Sequence, residues 1–462
     1  CVFAQDIKRR KRDNCLKINI IGAGEIGFYL AKVLSQEGHD LAVIDKSADR
    51  IARVNEHCDV MVLEGNGTSP NLLKQAGAQD ADILIAVTSS DEVNLLACIM
   101  AHRLGTKRTL ARVSNPEFIA DDVDFSPQQW GIDLTIYPEG ITAEEIVRIV
   151  QRSSATDVLE FEQGKVQLLG IRLDSQSPII NKKLAEVDQD YENITFRSVA
   201  IIRGPRTIIP TGDDTFKRGD HIYVMAKTEY IPEMLKLAGK EEKPIHDIMI
   251  LGGGKVGKHI AGLLQGEVNV KLIESDKDKT FQLAEELENT LVIHGEGKDI
   301  DLLAQEGLMD MDAYVAATSD EETNIISCLM AKHLGVEKTI ALIENQDYLP
   351  LAGSIGLDTA VNKKLSAANV ILKFIRKGEI VSIATLHGVD AEVIELVAQP
   401  GSDVTKKRLQ DLKFPKGALI GCVIHNSAVT IPVGKTKVAP NDRVVVFTLP
   451  RAIHQVEKLF SK

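Results

Sequence analysis

Residues 17–34, KINIIGAGEIGFYLAKVL, and residues 248–264, IMILGGGKVGKHIAGLL, together decide the fold of this chain. Each is a short β-branched run, then G-x-G-x-x-G, then apolar residues at helical spacing. The glycines are Gly22, Gly24 and Gly27 in the first copy and Gly252, Gly254 and Gly257 in the second. The motif carries weight only between a strand and a helix, and both copies supply that context. The first glycine permits a tight turn, the second lets a pyrophosphate approach the backbone, and the third lets the helix pack on its strand. The helix start then offers free N–H groups and a positive dipole end to phosphate. An acid closes the next strand in each case, Asp45 in LAVIDKS and Glu274 in VKLIESD. A carboxylate there accepts ribose hydroxyls and repels a 2′-phosphate, which points to NAD or an adenosine nucleotide. The plainer reading is an acid that favours the dipole of the following helix.

The repeat runs well beyond the glycines. Residues 62–113 align with residues 292–343, pairing Thr88, Glu92 and Asn94 with Thr318, Glu322 and Asn324. A second repeat lies behind each copy: IIPTGDDTFKRGDHIYVMA (208–226) matches TIPVGKTKVAPNDRVVVFT (430–448), so Pro210, Gly212 and Asp220 meet Pro432, Gly434 and Asp442. The order is nucleotide domain, small domain, nucleotide domain, small domain. A length of 462 residues suits four such units. The expected boundaries are an extension at 1–15, a first nucleotide domain at 16–138, a crossover helix and small domain at 139–235, a linker at 236–245, a second nucleotide domain at 246–362, and a second helix and small domain at 363–462.

Strands are expected near 16–21, 40–44, 59–64, 82–87, 108–113 and 132–136. They are continuous apolar runs, as in a parallel sheet covered on both faces. The fold class is therefore α/β, two doubly wound parallel sheets, each followed by a small α+β module rich in strands. The helices TAEEIVRIVQR and KLSAANVILKFIRK leave the nucleotide domains at matching places and are expected to pair subunits. A net charge of −12 implies no basic face for nucleic acid. No apolar run reaches the roughly 18–20 residues of a membrane span. The six cysteines are scattered without a C-x-x-C pair, which fits a reducing compartment. The basic cluster Lys8–Arg12 is not followed by the apolar stretch of a signal peptide; it reads as a disordered extension or as an arm for anionic lipid.

Three further features bear on chemistry. Ser89 with Glu92 and Ser319 with Glu322 have capping-box spacing, and Thr88, Ser89, Thr318 and Ser319 stand where ligands bind such sheets. Arg112 ends strand five, where a guanidinium can pair with phosphate; the second copy has Leu342. His294, Glu296 and Asp299 read as turn residues rather than metal ligands, and no nucleophile–base arrangement is evident.

The duplicated fingerprints, the VTxSDExN-like helix starts, the GAxxAD run before strand four and the paired I-P-x-G…D modules resemble the TrkA family. These are peripheral regulatory subunits of bacterial Trk potassium uptake, built from two RCK (KTN) and two RCK-C domains. The resemblance implies NAD(H) and ATP or ADP in the Rossmann domains and no catalysis. It also implies a homo-oligomeric ring on the cytoplasmic face of an integral membrane potassium-transport subunit (TrkH/TrkG-like). Its nucleotide positions fall on Gly22, Ala23, Gly24, Glu25, Ile26, Gly27, Asp45, Thr88, Ser89 and Arg112. In the second half they fall on Gly252, Gly253, Gly254, Lys255, Val256, Gly257 and Glu274. Leu342 and the N-terminal extension depart from the pattern. The alternatives are an NAD-dependent oxidoreductase, disfavoured by small modules with no room for a substrate pocket, and an RCK-type regulator of another potassium channel or antiporter.

Overall fold

The computed structural model describes residues 15–119, 126–152, 154–191, 195–204, 206–241, 243–345, 348–349, 352, 355–375, 380–385 and 391–461. The basic cluster Lys8–Arg12 lies outside them. The chain divides into two compact units, residues 1–141 with 363–375, and residues 142–362 with 376–462.

In the first unit, β1 (Lys17–Ile21), β2 (Asp40–Asp45), β3 (Met61–Glu64), β4 (Ile83–Ala86), β5 (Arg108–Arg112) and β6 (Leu134–Ile136) form one parallel sheet. The order is β3-β2-β1-β4-β5-β6, so the chain reverses direction across the sheet between β1 and β4. The crossover helices are α1 (Glu25–Gln36), α2 (Ala48–His57), α3 (Pro70–Gln75) and α4 (Asp91–Leu104). Alternate strand residues serve the two faces: Ile18, Ile20, Val43 and Ile85 point to α1, while Ile21, Ile44, Leu84 and Ala86 point to α3 and α4. Burial on both faces explains the unbroken apolar runs.

Helix α5 (Pro138–Gln151) follows β6 and passes into the second unit. That unit holds two small antiparallel sheets and a second parallel one. The first small sheet contains β7 (Asp157–Phe161), β8 (Val166–Arg172), β9 (Phe196–Arg203), β10 (Arg206–Ile208) and β11 (His221–Lys227), in the order β10-β9-β11-β8-β7. Helices α6 (Leu184–Asp190) and α7 (Ile231–Leu237) belong with it. Leu235, Leu237 and Ala238 are buried, so this domain reaches into the segment read as linker.

The second parallel sheet repeats the first, with β12 (Asp247–Leu251), β13 (Asn269–Glu274), β14 (Thr290–His294), β15 (Ala313–Ala316), β16 (Lys338–Leu342) and β17 (Thr359–Val361) in the order β14-β13-β12-β15-β16-β17. Its helices are α8 (Lys255–Leu264), α9 (Lys277–Glu286), α10 (Ile300–Gln305) and α11 (Glu321–His333). Helix α12 (Lys363–Ile375) leads out of it and is counted with the first unit. The last small domain comprises β18 (Ile380–Thr385), β19 (Glu392–Val397), α13 (Asp403–Lys406), β20 (Ala418–His425), β21 (Ala428–Thr430), β22 (Arg443–Thr448) and α14 (Ile453–Phe460). The two small sheets share a core, in which Val199, Tyr223 and Met225 meet Val393, Cys422 and Phe447.

The two long crossover helices correct the expectation that they pair subunits. In the first unit, Ala367, Ala368, Ile371, Leu372 and Ile375 of α12 join the core of the first parallel sheet. In the second unit, Ala143, Ile146, Ile149 and Val150 of α5 join the core of the second. Each nucleotide domain thus covers one sheet face with a helix supplied by the other half of the same chain. At about 1.5–3 kcal/mol per large apolar side chain, this exchange contributes several kcal/mol on each side. A cation at the start of strand five meets backbone carbonyls at the end of α12 and in the turn beyond α5. Arg108 donates to the carbonyls of Phe374 and Ile375 at 2.8 and 3.0 Å, and Lys338 donates to the carbonyl of Ala155. Positive charge is favoured where helix carbonyls lack partners.

Among the described residues no helix is long and apolar enough to cross a membrane.

Candidate nucleotide sites

The first glycine turn stands at the carboxyl end of β1, at the switch point of its sheet. Gly22 has φ +100 and its N–H reaches the carbonyl of Ile44 at 2.8 Å. A Cβ on Gly27 would lie 1.8 Å from the Gly22 carbonyl oxygen, so only glycine lets α1 pack on its own turn. A Cβ on Gly24 would meet nothing nearer than Arg50 at 4.0 Å, and this open residue caps α1 without a side-chain bond. Ala23 and Ile26 are buried beneath the turn, and Glu25 is exposed at its rim.

Asp45 is buried at the end of β2, and both carboxylate oxygens already work structurally. One accepts the Ala23 N–H at 2.6 Å and the other the Ser47 N–H at 2.8 Å; Arg50 stands 3.7 Å away. Asp45 therefore ties the glycine turn to the next loop, and each oxygen retains a second lone pair.

Thr88 touches the same turn: a Cβ on Gly22 would lie 3.0 Å from its backbone nitrogen. Asn94, fully buried on α4, holds Thr88 in place. Its side-chain oxygen accepts the Thr88 N–H at 2.8 Å and hydroxyl at 2.7 Å, and its amide donates to the carbonyls of Thr88 (3.1 Å) and Arg112 (2.9 Å). The repeat pairing singles out Asn94, but its role in joining the ends of β4 and β5 needs the fold. The capping expectation is corrected by one residue. Ser90, not Ser89, caps α4 by accepting the Val93 N–H, and Asp320, not Ser319, caps α11. The threonine and asparagine consume the first turn position, which shifts the helix start. Ser89 lies exposed in this turn.

Arg112 ends β5 beside Glu139, at 3.7 Å, and Lys363 of α12 stands 3.7 Å from the same carboxyl oxygen. The Arg112 Nε and the second Glu139 oxygen are buried with no hydrogen-bond partner. Lys364 lies 3.8 Å from Glu25, which Arg53 also meets at 2.7 Å. The Arg53 guanidinium, with Lys364 behind it, holds the Glu25 carboxyl below its usual range against the effect of burial.

The second site repeats this plan with one substitution of partners. Gly252 has φ +98, and a Cβ on Gly257 would sit 1.9 Å from its carbonyl oxygen. Gly254 faces open space, Gly253 and Val256 are buried, and Lys255 is exposed. Glu274 accepts from the N–H groups of Gly253 and Asp276, both at 3.0 Å, and from the Lys279 ammonium at 2.7 Å. Burial alone would raise its carboxyl, but Lys279 and these N–H groups outweigh that and hold it low. Asn324 repeats Asn94, bonding Thr318 and the carbonyl of Leu342. Leu342 is buried where Arg112 stands, so the second site lacks that cation. His294 donates from Nε2 to the Ser275 carbonyl at 3.0 Å, and Asp299 caps α10. Among the described residues no acid, histidine and cysteine cluster has the spacing of a metal site.

The TrkA-N domain family matches residues 18–138 and 248–363, and the TrkA-C domain family matches residues 168–239 and 393–461. The chain belongs to the TrkA family. It is 37% identical over 454 residues to Trk system potassium uptake protein TrkA homolog 2 of Methanosarcina mazei, covering 96% of this chain and all of that one. It is 34% identical to TrkA of Vibrio alginolyticus, covering 96% and 98%. These TrkA relatives are named as potassium uptake proteins. The fold is shared with the GsuK channel bound to NAD, at TM-score 0.60 and 17% identity over 99% of this chain and 83% of that one. The GsuK RCK domain aligns at TM-score 0.59 over 99% of both.

Proposed function

We propose that this TrkA-family chain is a nucleotide-binding regulatory subunit that gates a membrane potassium-uptake protein. The observation that supports it most is the glycine turn tied to a buried carboxylate at each sheet's switch point. It occurs twice in a chain that matches TrkA proteins over 96% of its length. In this reading the nucleotide domains are residues 16–138 and 246–362, and copies of the chain form a ring on the cytoplasmic face of the partner. In the first site the N–H groups of Gly24 to Gly27 receive the phosphates, Asp45 the ribose, and Thr88, Ser89 and Arg112 the far side. Gly252 to Gly257 and Glu274 do the same in the second. NAD(H) is the expected ligand, as in the NAD-bound GsuK channel that shares the fold, and ADP or ATP the other, as in the ADP-bound GsuK structure. A ligand shifts such a gate only through its differing affinity for the two states.

The test has two parts. Calorimetry should show NADH or an adenine nucleotide binding to the wild-type chain and weaker binding to Asp45→Asn. Reconstitution with a Trk-type membrane subunit should give a co-eluting complex whose potassium flux changes with nucleotide. Flux indifferent to every nucleotide that binds would refute gating. Co-elution with an antiporter or a GsuK-like channel instead would favour the related regulator.

A further inference from the structure

We propose that the two nucleotide sites are not equivalent: Lys279 holds the place of the ribose on Glu274, so the second site takes an adenine nucleotide only by displacing this lysine and fills at higher concentration than the first. The proposal rests on the nucleotide reading above and deepens it, naming the residue that sets the affinity of the second site.

The first observation concerns acceptor positions. An ionised carboxylate offers about four lone-pair positions on its two oxygens. Four donors already stand on Glu274. One oxygen accepts the Gly253 N–H at 3.0 Å and the Lys279 ammonium at 2.7 Å. The other accepts the Asp276 N–H at 3.0 Å and the Ser275 hydroxyl at 3.3 Å. Asp45 carries one donor on each oxygen, the Ala23 N–H at 2.6 Å and the Ser47 N–H at 2.8 Å. The first carboxylate therefore has room for both hydroxyls of a ribose, and the second has room for neither.

The second observation is that the same helix position carries a cation in both copies, in two different places. Arg50 and Lys279 each stand five residues beyond the acid. Each lies in the first turn of its helix, α2 or α9, and each gives its backbone N–H to the capping side chain, Ser47 or Asp276. The backbones are alike, so the side chains make the difference. The Arg50 guanidinium stops 3.7 Å from Asp45, beyond hydrogen-bond range, and lies 4.0 Å from where a Cβ on Gly24 would stand. Lys279 has closed on Glu274, and nothing comes within 4 Å of the same point on Gly254.

The third observation is the exchange of residues that lets the second copy close. Ala23 and Asp45 of the first copy are replaced by Gly253 and Glu274. Glutamate is longer by one methylene. A Cβ on Gly253 would lie 3.0 Å from a Glu274 oxygen and 2.3 Å from a Leu283 methyl, so the glycine makes room for the longer acid under the turn. The longer carboxylate keeps its bond to the turn and still reaches Lys279.

In a site of this kind the acid accepts the ribose hydroxyls. At Glu274 those hydroxyls must first break a charge-assisted bond, a cost that Asp45 does not impose. The lysine is 40% exposed, so water receives it when it leaves. Two sites of unequal affinity let one chain respond to nucleotide over two ranges of concentration.

Calorimetry on the full-length protein tests this. Gly24→Val obstructs phosphate in the first site, and its side chain enters open space, so the second site is measured alone. ADP, NADH and 2′,3′-dideoxy-ADP are titrated into that protein and into the same protein with Lys279→Met, both checked for fold by circular dichroism. Lys279→Met should tighten ADP and NADH about fivefold or more, the release of one partly exposed ion pair. A lysine that served to attract phosphate would give the opposite sign. Dideoxy-ADP should gain nothing, because it has no hydroxyl to place on Glu274. The chain without Gly24→Val gives a second reading: its isotherm should show two classes of site, and Lys279→Met should bring them together. Unchanged or weaker binding of ADP in the Lys279→Met protein overturns the proposal. An equal gain for dideoxy-ADP also overturns it, because the ribose would then not be what the lysine displaces. A wild-type chain that is folded and binds none of the three ligands refutes the nucleotide reading itself, and the proposal falls with it.

Discussion

Asn94→Ala tests whether the first nucleotide cleft is built as described. The Asn94 side chain makes four hydrogen bonds of 2.7–3.1 Å, three to Thr88 and one to the carbonyl that ends β5. It is fully buried, so alanine leaves the Thr88 N–H and two carbonyls without partners. At about 1 kcal/mol net per bond, with a larger penalty for groups left unsatisfied, the loss should be about 3–4 kcal/mol. Urea unfolding followed by circular dichroism should show the first transition shifted by that amount. Asn324→Ala should cost the same in the second domain, because its bonds to Thr318 and Leu342 repeat within 0.2 Å. Asn94→Asp is the control. It keeps the acceptor but presents a second oxygen to two carbonyls, so it should be as damaging at neutral pH and milder in acid, where a protonated carboxyl donates one bond. A loss under about 1 kcal/mol for both alanine variants would refute the claim that this residue joins β4 to β5.

Gly27→Ala places a methyl group 1.8 Å from the Gly22 carbonyl oxygen and should abolish soluble expression or cost over about 4 kcal/mol, whereas Gly24→Ala should fold normally and lose nucleotide affinity in calorimetry. Burial pushes His221 down to about 4, with Asp157 opposing the shift. Its folded form therefore binds fewer protons than the unfolded one. Stability should be complete above about pH 6.5 and fall by up to about 3 kcal/mol as pH drops towards 4, and His221→Gln should flatten that part of the profile. Burial lowers Lys338 to about 8, despite Asp358 and Asp157 nearby. Its ammonium is strained below that value, so stability should rise between about pH 8 and 10.5, and Lys338→Met should remove the rise in thermal melts.

Much of this molecule is legible from the chain alone. Asp45, Glu274 and the two G-x-G-x-x-G runs are local signals, since strand, turn and helix follow one another within about 20 residues and their spacing reflects backbone geometry. The strands came out within about two residues of expectation because residues buried on both faces must be apolar without interruption. The duplication is likewise visible by alignment, with no structure needed. The capping residue was missed by one place because Ser89 and Ser90 are chemically alike, and only the Thr88–Asn94 bonds decide which of them starts the helix.

The partners of apolar and charged surfaces belong to the tertiary structure. Periodicity in α5 and α12 reveals that each has a face to bury, but a hydrophobic face is non-directional and does not name what covers it. Only the fold shows Ile371 and Leu372 in the core of the first sheet and Ile146 and Ile149 in that of the second. For the same reason Arg112 could be read from its place at a strand end, while Glu139 and Lys363 could not. More than two hundred residues separate Arg112 from Lys363 in sequence, and only the exchange of helices sets both beside one carboxylate.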